Sequence, residues 1–294
     1  MSGADVLKNL KPEREFFVGI DSDGCAFPTM ELKHKECFIP NIVKYFDLQS
    51  VSKYAREAAE FVNLYSKWRG INRFPALLMV IDLLAEREEV LRSGVQLPDL
   101  SDLRQWADSG VALGNPTLAA EVEKTGNPTL KKVYDWSKAV NASIDWMVEG
   151  CKPFAFVREC LEKMNPRADL MVVSATPGQA LEKEWTEHGI DRYVRVIAGQ
   201  ELGSKKEHIA LAAGGKYPPE KILMIGDAPG DMKAARGNGA LFFPVNPGQE
   251  EKSWQLLYEE ALDRFVAGTF AGAYEASLIK KFEALLPEVP PWKR

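Results

Sequence analysis

Five short apolar runs, each closing on a polar or turn-forming residue, constrain this chain more than any other feature. Phe16-Phe17-Val18-Gly19-Ile20 runs straight into Asp21, and Leu170-Met171-Val172-Val173 ends at Ser174. Tyr193-Val194-Arg195-Val196-Ile197 leads to Gly199, Ile222-Leu223-Met224-Ile225 ends at Gly226-Asp227, and Ala240-Leu241-Phe242-Phe243 stops at Pro244. Continuous apolar runs of this length suit parallel strands covered on both faces. Helical patterns over 178–188, about 205–213 and 230–237 separate the later runs. Strands alternating with helices predict an α/β fold with a doubly wound parallel sheet.

The interval between the first two runs is too long for a connecting helix. Residues from about 30 to 155 show no strand pattern but do show helical periodicity over 52–68, 74–92 and 129–148. An inserted all-helical domain is expected there. Gly114-Asn115-Pro116-Thr117-Leu118 recurs as Gly126-Asn127-Pro128-Thr129-Leu130. In each copy Asn suits an N-cap and Pro the first helical position, so each should start a helix. The expected division is a core of 1–29 and 153–250, a helical insert of 30–152, and a helical C-terminal extension of 251–294 packing on the core.

Composition narrows the function. The net charge is −5 and Lys and Arg form no long run, so no nucleic-acid partner is expected. Cys25, Cys37, Cys151 and Cys160 have no zinc-ligand spacing and read as reduced thiols. The polar first fifteen residues lack the apolar stretch of a signal peptide, and no segment has the length and apolarity of a membrane span. The expectation is a cytoplasmic protein without a membrane partner, monomeric or homodimeric.

In open α/β sheets ligands bind beyond the carboxyl ends of the strands. Asp21, Ser174 and Asp227 each stand at such an end. Asp21-Ser22-Asp23-Gly24 and Gly226-Asp227-Ala228-Pro229-Gly230-Asp231 would bring four carboxylates together. Crowded carboxylates repel unless a cation neutralises them, and oxygen donors select a hard divalent ion such as Mg²⁺. Lys205 or Lys206, opening a helix, adds a positive charge. Ser174 offers a hydroxyl and neighbouring backbone N–H donors to an anion.

In this order the elements resemble the haloacid dehalogenase-like hydrolase superfamily: hhhhDxDG, hhhhS, a helix-initiating Lys, then hhhhGDxxxD. The resemblance covers most of 15–29 and 153–247 and implies that superfamily's Rossmann-like core. It implies that Asp21 is a nucleophile forming an aspartyl-phosphate and Asp23 the general acid and base. It implies Mg²⁺ held by Asp21, the Asp23 backbone carbonyl and Asp227, with Asp231 as a ligand or just outside the coordination. Ser174, Ala175 and the lysine would bind the phosphoryl oxygens; spacing to Ile209 and Leu211 favours Lys205, with Lys206 as the alternative. Cys25 stands where relatives usually carry Thr or Val and reads as a buried small hydrophobe, a redox-sensitive thiol being the other reading. Asp23 argues against dehalogenation, which needs no acid at that position.

The long insert resembles the helical cap of the phosphoglycolate phosphatase and β-phosphoglucomutase group. Trp68-Arg69-Gly70-Ile71-Asn72-Arg73 resembles a cap loop of that group, so Arg69 or Arg73 would hold a substrate anion. His34 reads as a solvated or capping residue, and Trp106, Trp136 and Trp146 as cap core. The implied function is Mg²⁺-dependent hydrolysis of a small phosphorylated metabolite. The alternatives are a phosphomutase of the β-phosphoglucomutase type and a catalytically silent binding module. Phosphonate hydrolysis would need a cap lysine, and Lys53 and Lys67 lack a recognisable context for it.

Overall fold

Phe16–Ile20 forms the middle strand, β1, of a five-stranded parallel sheet in the computed structural model, which describes residues 3–293. The other strands are β2 (Ala168–Val173), β3 (Val196–Ala198), β4 (Ile222–Gly226) and β5 (Leu241–Pro244), in the spatial order β3-β2-β1-β4-β5. The chain moves outward from β1 to β3, then crosses back to β4 on the other side of β1. The order therefore reverses between β1 and β4, the kind of point at which such sheets bind ligands. Ile20 pairs with Val172 and Ile225, so Asp21, Ser174 and Asp227 leave three adjacent strands at nearly one level.

Both faces of the sheet are buried, which is why its strands read as unbroken apolar runs. Phe16, Val18, Ile20, Leu170, Val172, Leu223 and Ile225 point into one cluster with Trp185 and Trp254. Phe17, Met171, Val173, Ile222, Met224 and Phe242 point into the other, with Ile209 and Phe282. The third strand is shorter than the run that predicted it. Asp191–Tyr193 closes into a helical turn instead, and Tyr193 bonds through its hydroxyl to Glu162.

The chain divides into two compact units: Met1–Thr29 with Cys151–Leu286, and Met30–Gly150 with Pro287–Arg294. The helical unit has its own core. Trp136 and Trp106 are buried, and each meets Phe74 edge to face, at 6.4 Å and 5.2 Å. Trp146 does not join them; it is 68% exposed, because it lies near the end of helix Pro128–Met147 on its outer face. His34 is half-buried, and its ring stacks on Phe38 at 4.6 Å. The stretch 74–92 is two helices, Arg73–Ala85 and Glu88–Ser93. Both Gly-Asn-Pro-Thr-Leu copies start helices. Asn127 caps the second through Leu130 N, but Asn115 is already helical in the first, with Gly114 as the residue before it.

Within 251–286 the helices pack on the sheet, as Phe282 does on Phe242. The segment from Pro287 onward instead packs in the helical unit. There Lys67 N donates to the Pro287 carbonyl, and the Trp292 ring meets Phe61. The proline-rich sequence that ends the last helix is what releases the chain from the sheet.

Candidate active site

The loop after β1 is wound tightly around one carbonyl. Ser22 O accepts from the N–H groups of Cys25, Ala26 and Phe27, while Gly24 N donates to Phe27 O. Gly24 sits at φ +77°, a conformation other residues adopt only at a cost. Side chains from elsewhere clamp the loop. Trp185 Nε1 donates to Ser22 Oγ at 3.0 Å, and Trp254 Nε1 donates to the Cys25 carbonyl at 2.8 Å. Cys25 itself is fully buried, and burial, then the neighbouring Asp227, Asp21 and Asp231, push its thiol well above the usual range. A raised thiol pKa disfavours the thiolate, and the full burial fits the small-hydrophobe reading.

This loop holds Asp21 at the end of β1, 5% exposed. Its Oδ1 accepts from Ser22 N at 2.8 Å and its Oδ2 lies 2.7 Å from Lys205 Nζ. Lys205 opens helix Lys205–Ala212, whose preceding residue, Ser204, accepts at Oγ from Glu207 N and donates its own N–H to Glu207 Oε2 in return. Such a reciprocal cap fixes the first turn and aims the lysine. Its ammonium also meets Asp231 Oδ1 at 2.6 Å. Lys206 is exposed. Asp231 serves twice, since its Oδ2 accepts from Ala228 N at 3.0 Å and caps helix Pro229–Arg236.

Asp21, Asp227 and Asp231 are all buried, and each offers a carboxylate oxygen within 4.8 Å of the others'. Burial drives the Asp21 carboxyl well above the ordinary range; Lys205 opposes this, and Asp231 and Asp227 add to it. Burial alone would lower the Lys205 pKa, but Asp21 and Asp231 outweigh it and keep the ammonium charged. One lysine cannot balance three carboxylates. The donor set is all oxygen and carries a surplus of negative charge, which fits a hard divalent cation such as Mg²⁺.

The Asp23 carboxylate lies outside this cluster. Its Oδ1 accepts from Thr29 Oγ1, and its Oδ2 from Thr176 Oγ1 at 2.6 Å. Ser174 is buried at the end of β2; its N–H donates to Ala198 O and its Oγ accepts from Thr176 N at 3.2 Å. Ala175, next to it, is exposed. The helix that follows begins only at Gly178, so Ser174 is not its cap. His208, three residues after Lys205, is fully buried; burial, then the Lys205 charge, hold it below its usual range.

Arg69 and Arg73 belong to the helical unit. Arg69 is 2% exposed, and its Nη1 donates to the Leu64 carbonyl at 2.8 Å. Arg73 Nη1 donates to Ser137 O, Ser137 Oγ and Asn141 Oδ1, and its guanidinium lies over the Phe38 ring. Burial draws Arg73 down to about 10. Sequence reasoning singled out neither Thr29 nor Thr176. The signal for Thr176 was present, a hydroxyl two residues beyond the strand-end serine. Nothing in the sequence marks Trp254, which reaches the loop from more than two hundred residues away.

No curated protein sequence matches the chain. Residues 106–245 match the family model of haloacid dehalogenase-like hydrolases, a range that holds Ser174, Lys205, Asp227 and Asp231 and leaves out Asp21 and Asp23. Among solved structures, a haloacid dehalogenase-like family hydrolase from Streptococcus pneumoniae aligns with 83% of this chain and 90% of its own, at 16% identity and a TM-score of 0.42. A predicted phosphoglycolate phosphatase from Haemophilus somnus aligns with 80% of this chain and 88% of its own, at 15% identity and a TM-score of 0.44. Over residues 106–245, which hold β2 to β5 and the acids after β4, this chain is similar to the haloacid dehalogenase-like hydrolases.

Proposed function

We propose that the chain is a Mg²⁺-dependent phosphatase that hydrolyses a small phosphorylated metabolite through an aspartyl-phosphate on Asp21. The observation that carries this reading is Lys205 Nζ held between Asp21 Oδ2 and Asp231 Oδ1 beside a third buried carboxylate. A phosphoryl group brings negative charge and needs positive charge in return. Lys205 supplies part of it from a fixed position. A bound magnesium ion, held by Asp21, Asp227 and Asp231 with the Asp23 carbonyl, would neutralise the acids and offset charge on the phosphoryl oxygens.

In the first step an Asp21 oxygen bonds to phosphorus and the bond from phosphorus to the leaving oxygen breaks. The leaving oxygen takes a proton from Asp23. In the second step Asp23 takes a proton from water, whose oxygen bonds to phosphorus as the Asp21–phosphorus bond breaks. Ser174, with its hydroxyl and the backbone N–H groups around Ala175, holds the phosphoryl oxygens, and Arg69 or Arg73 would hold a substrate anion.

The test is Mg²⁺-dependent turnover of p-nitrophenyl phosphate by the wild type and by Asp21→Asn. The wild type is expected to be active and the variant to lose at least about a thousandfold. A folded variant with wild-type turnover would overturn the mechanism. Incubation with β-glucose 1-phosphate, asking whether phosphate is released or moved, separates hydrolysis from a mutase reaction.

A further inference from the structure

We infer that Thr176 is a positioning residue that sets the orientation of the Asp23 carboxyl for proton transfer to the leaving group. This rests on the phosphatase reading above and adds a residue to it. The observation is that the two oxygens of Asp23 are held by two different threonines: Oδ1 by Thr29 and Oδ2 by Thr176, the latter at 2.6 Å. A carboxyl held at one oxygen can still turn about its Cβ–Cγ bond. Held at both, its plane is defined, and so is the direction in which a proton can leave it. General acid catalysis depends on that direction, because the transferring group must lie within hydrogen-bond reach of the leaving oxygen.

Thr176 is itself unusually well fixed. Its N–H donates to Ser174 Oγ at 3.2 Å, and its carbonyl accepts from Gln200 N at 3.0 Å. Pro177 follows it and confines its backbone to the extended region. The next residue, Gly178, is held in turn, its N–H donating to Glu201 Oε2 at 3.0 Å. The threonine therefore reaches Asp23 from a segment anchored to β2 on one side and to the turn after β3 on the other. A supporting group locked by its own contacts is what keeps a reacting group in productive geometry. The same segment begins with Ser174, so the position of the acid is tied mechanically to the serine proposed to hold the phosphoryl oxygens.

The experiment compares two aryl phosphates of similar size, p-nitrophenyl phosphate and phenyl phosphate, on wild type, Thr176→Val, Thr176→Ser and Asp23→Asn, each with its melting temperature. A p-nitrophenolate leaves readily without a proton; phenolate needs one. The expected result for Thr176→Val is a kcat loss at least about tenfold larger with phenyl phosphate than with p-nitrophenyl phosphate, within the range general acids contribute. KM should stay within about twofold, and Thr176→Ser, which keeps the hydroxyl, should restore most of the loss. Asp23→Asn should show the same selectivity, larger in size.

If Asp23→Asn is selective for phenyl phosphate and Thr176→Val is not, the inference about Thr176 is overturned and the phosphatase reading stands. If Asp23→Asn slows both substrates equally, or the wild type hydrolyses neither, the reading fails and takes the inference with it. A selective loss in Thr176→Val that Thr176→Ser does not repair would also overturn it, since the effect would then belong to packing and not to the hydroxyl.

Discussion

Gly226 and Asp231 approach more closely than any side chain at position 226 would allow. A Cβ at Gly226 would lie 2.4 Å from Asp231 Cβ and 2.5 Å from its Cγ and Oδ2. The glycine at the end of β4 is thus what lets the Asp231 carboxylate reach both Ala228 N and Lys205. Gly226→Ala must push Asp231 away from Lys205. The expected outcome is a loss of about a hundredfold in p-nitrophenyl phosphate turnover, in the range seen when a charge-stabilising contact is removed. Overpacking should also cost about 1–3 kcal/mol in denaturant unfolding. Wild-type activity in this variant would mean that the Asp231–Lys205 contact is dispensable.

Lys205 and Lys206 make a second comparison. Lys205→Met removes the ammonium that meets both Asp21 and Asp231, whereas Lys206 is exposed. Lys205→Met should lose turnover by at least about a hundredfold. Lys206→Ala should stay within about twofold. A thermal readout tests the same geometry without activity. With its lysine gone, the acid cluster is left with uncompensated charge, so the variant should melt lower than wild type in EDTA. Added Mg²⁺ should raise its melting temperature by more than it raises that of wild type, through preferential binding to the folded state. No Mg²⁺-dependent shift in either protein would count against a metal at these three aspartates.

Much of this site was legible from the sequence because strand ends announce themselves. A run such as Ile222–Ile225 closing on Gly226-Asp227 fixes both the strand and the level at which the acid emerges. The same logic located Asp21 and Ser174. It favoured Lys205 over Lys206 only through the spacing to Ile209 and Leu211, since successive helix positions point about a hundred degrees apart and the Ser204–Glu207 cap sets where the helix begins. Nor could it find the groups that hold the loop after β1. Thr176, Trp185 and Trp254 act through one hydrogen bond each, on partners far away in the chain, and no periodicity encodes such a bond. The last segment carries little signal for a related reason. Its apolar residues are few, and its place in the helical unit rests on the Pro287 carbonyl bonded to Lys67 N, the Lys67–Glu288 pair and the stacking of Trp292.

Asp169 provides a prediction about pH and stability. It sits in β2, 2% exposed, and accepts from Glu13 N, Arg14 N, Tyr217 OH and Arg195 Nη1. Burial alone would raise its pKa; the Tyr217 hydroxyl, the Glu13 N–H, Arg195 and the Arg14 N–H together outweigh burial and hold it below the usual carboxylate range. The folded protein thus binds this proton more weakly than the unfolded chain does. The stability Asp169 contributes is present above its unfolded value of about 4 and is lost as pH falls through its lower folded value. Asp169→Asn should lose about 3 kcal/mol at neutral pH, because Arg195 and the two N–H donors lose their charged acceptor. Its stability should also fall less steeply than that of wild type as acid is added. Parallel acid-unfolding curves for the two proteins would refute the assignment.

Trp292 supports a last prediction, within the helical unit. Its ring lies 4.6 Å from the Arg87 guanidinium carbon, which also lies 4.4 Å from the Tyr54 ring. Arg87 is 7% exposed and pairs with Glu57 at 2.5 Å and Glu89 at 3.3 Å. A buried guanidinium against two aromatic faces gains from both, by about 1–2 kcal/mol per well-desolvated face. Trp292→Ala should therefore lower the stability of the helical unit by about 2 kcal/mol. In a double-mutant cycle with Arg87→Met, the two losses should add to more than the double variant shows, with a coupling of about 1 kcal/mol. Ending the chain after Leu286 should reproduce the Trp292→Ala loss and add to it, since Lys67 then also loses Glu288 and the Pro287 carbonyl. Additive single losses would mean that Trp292 merely covers apolar surface near Phe61 and that the stacking on Arg87 contributes nothing.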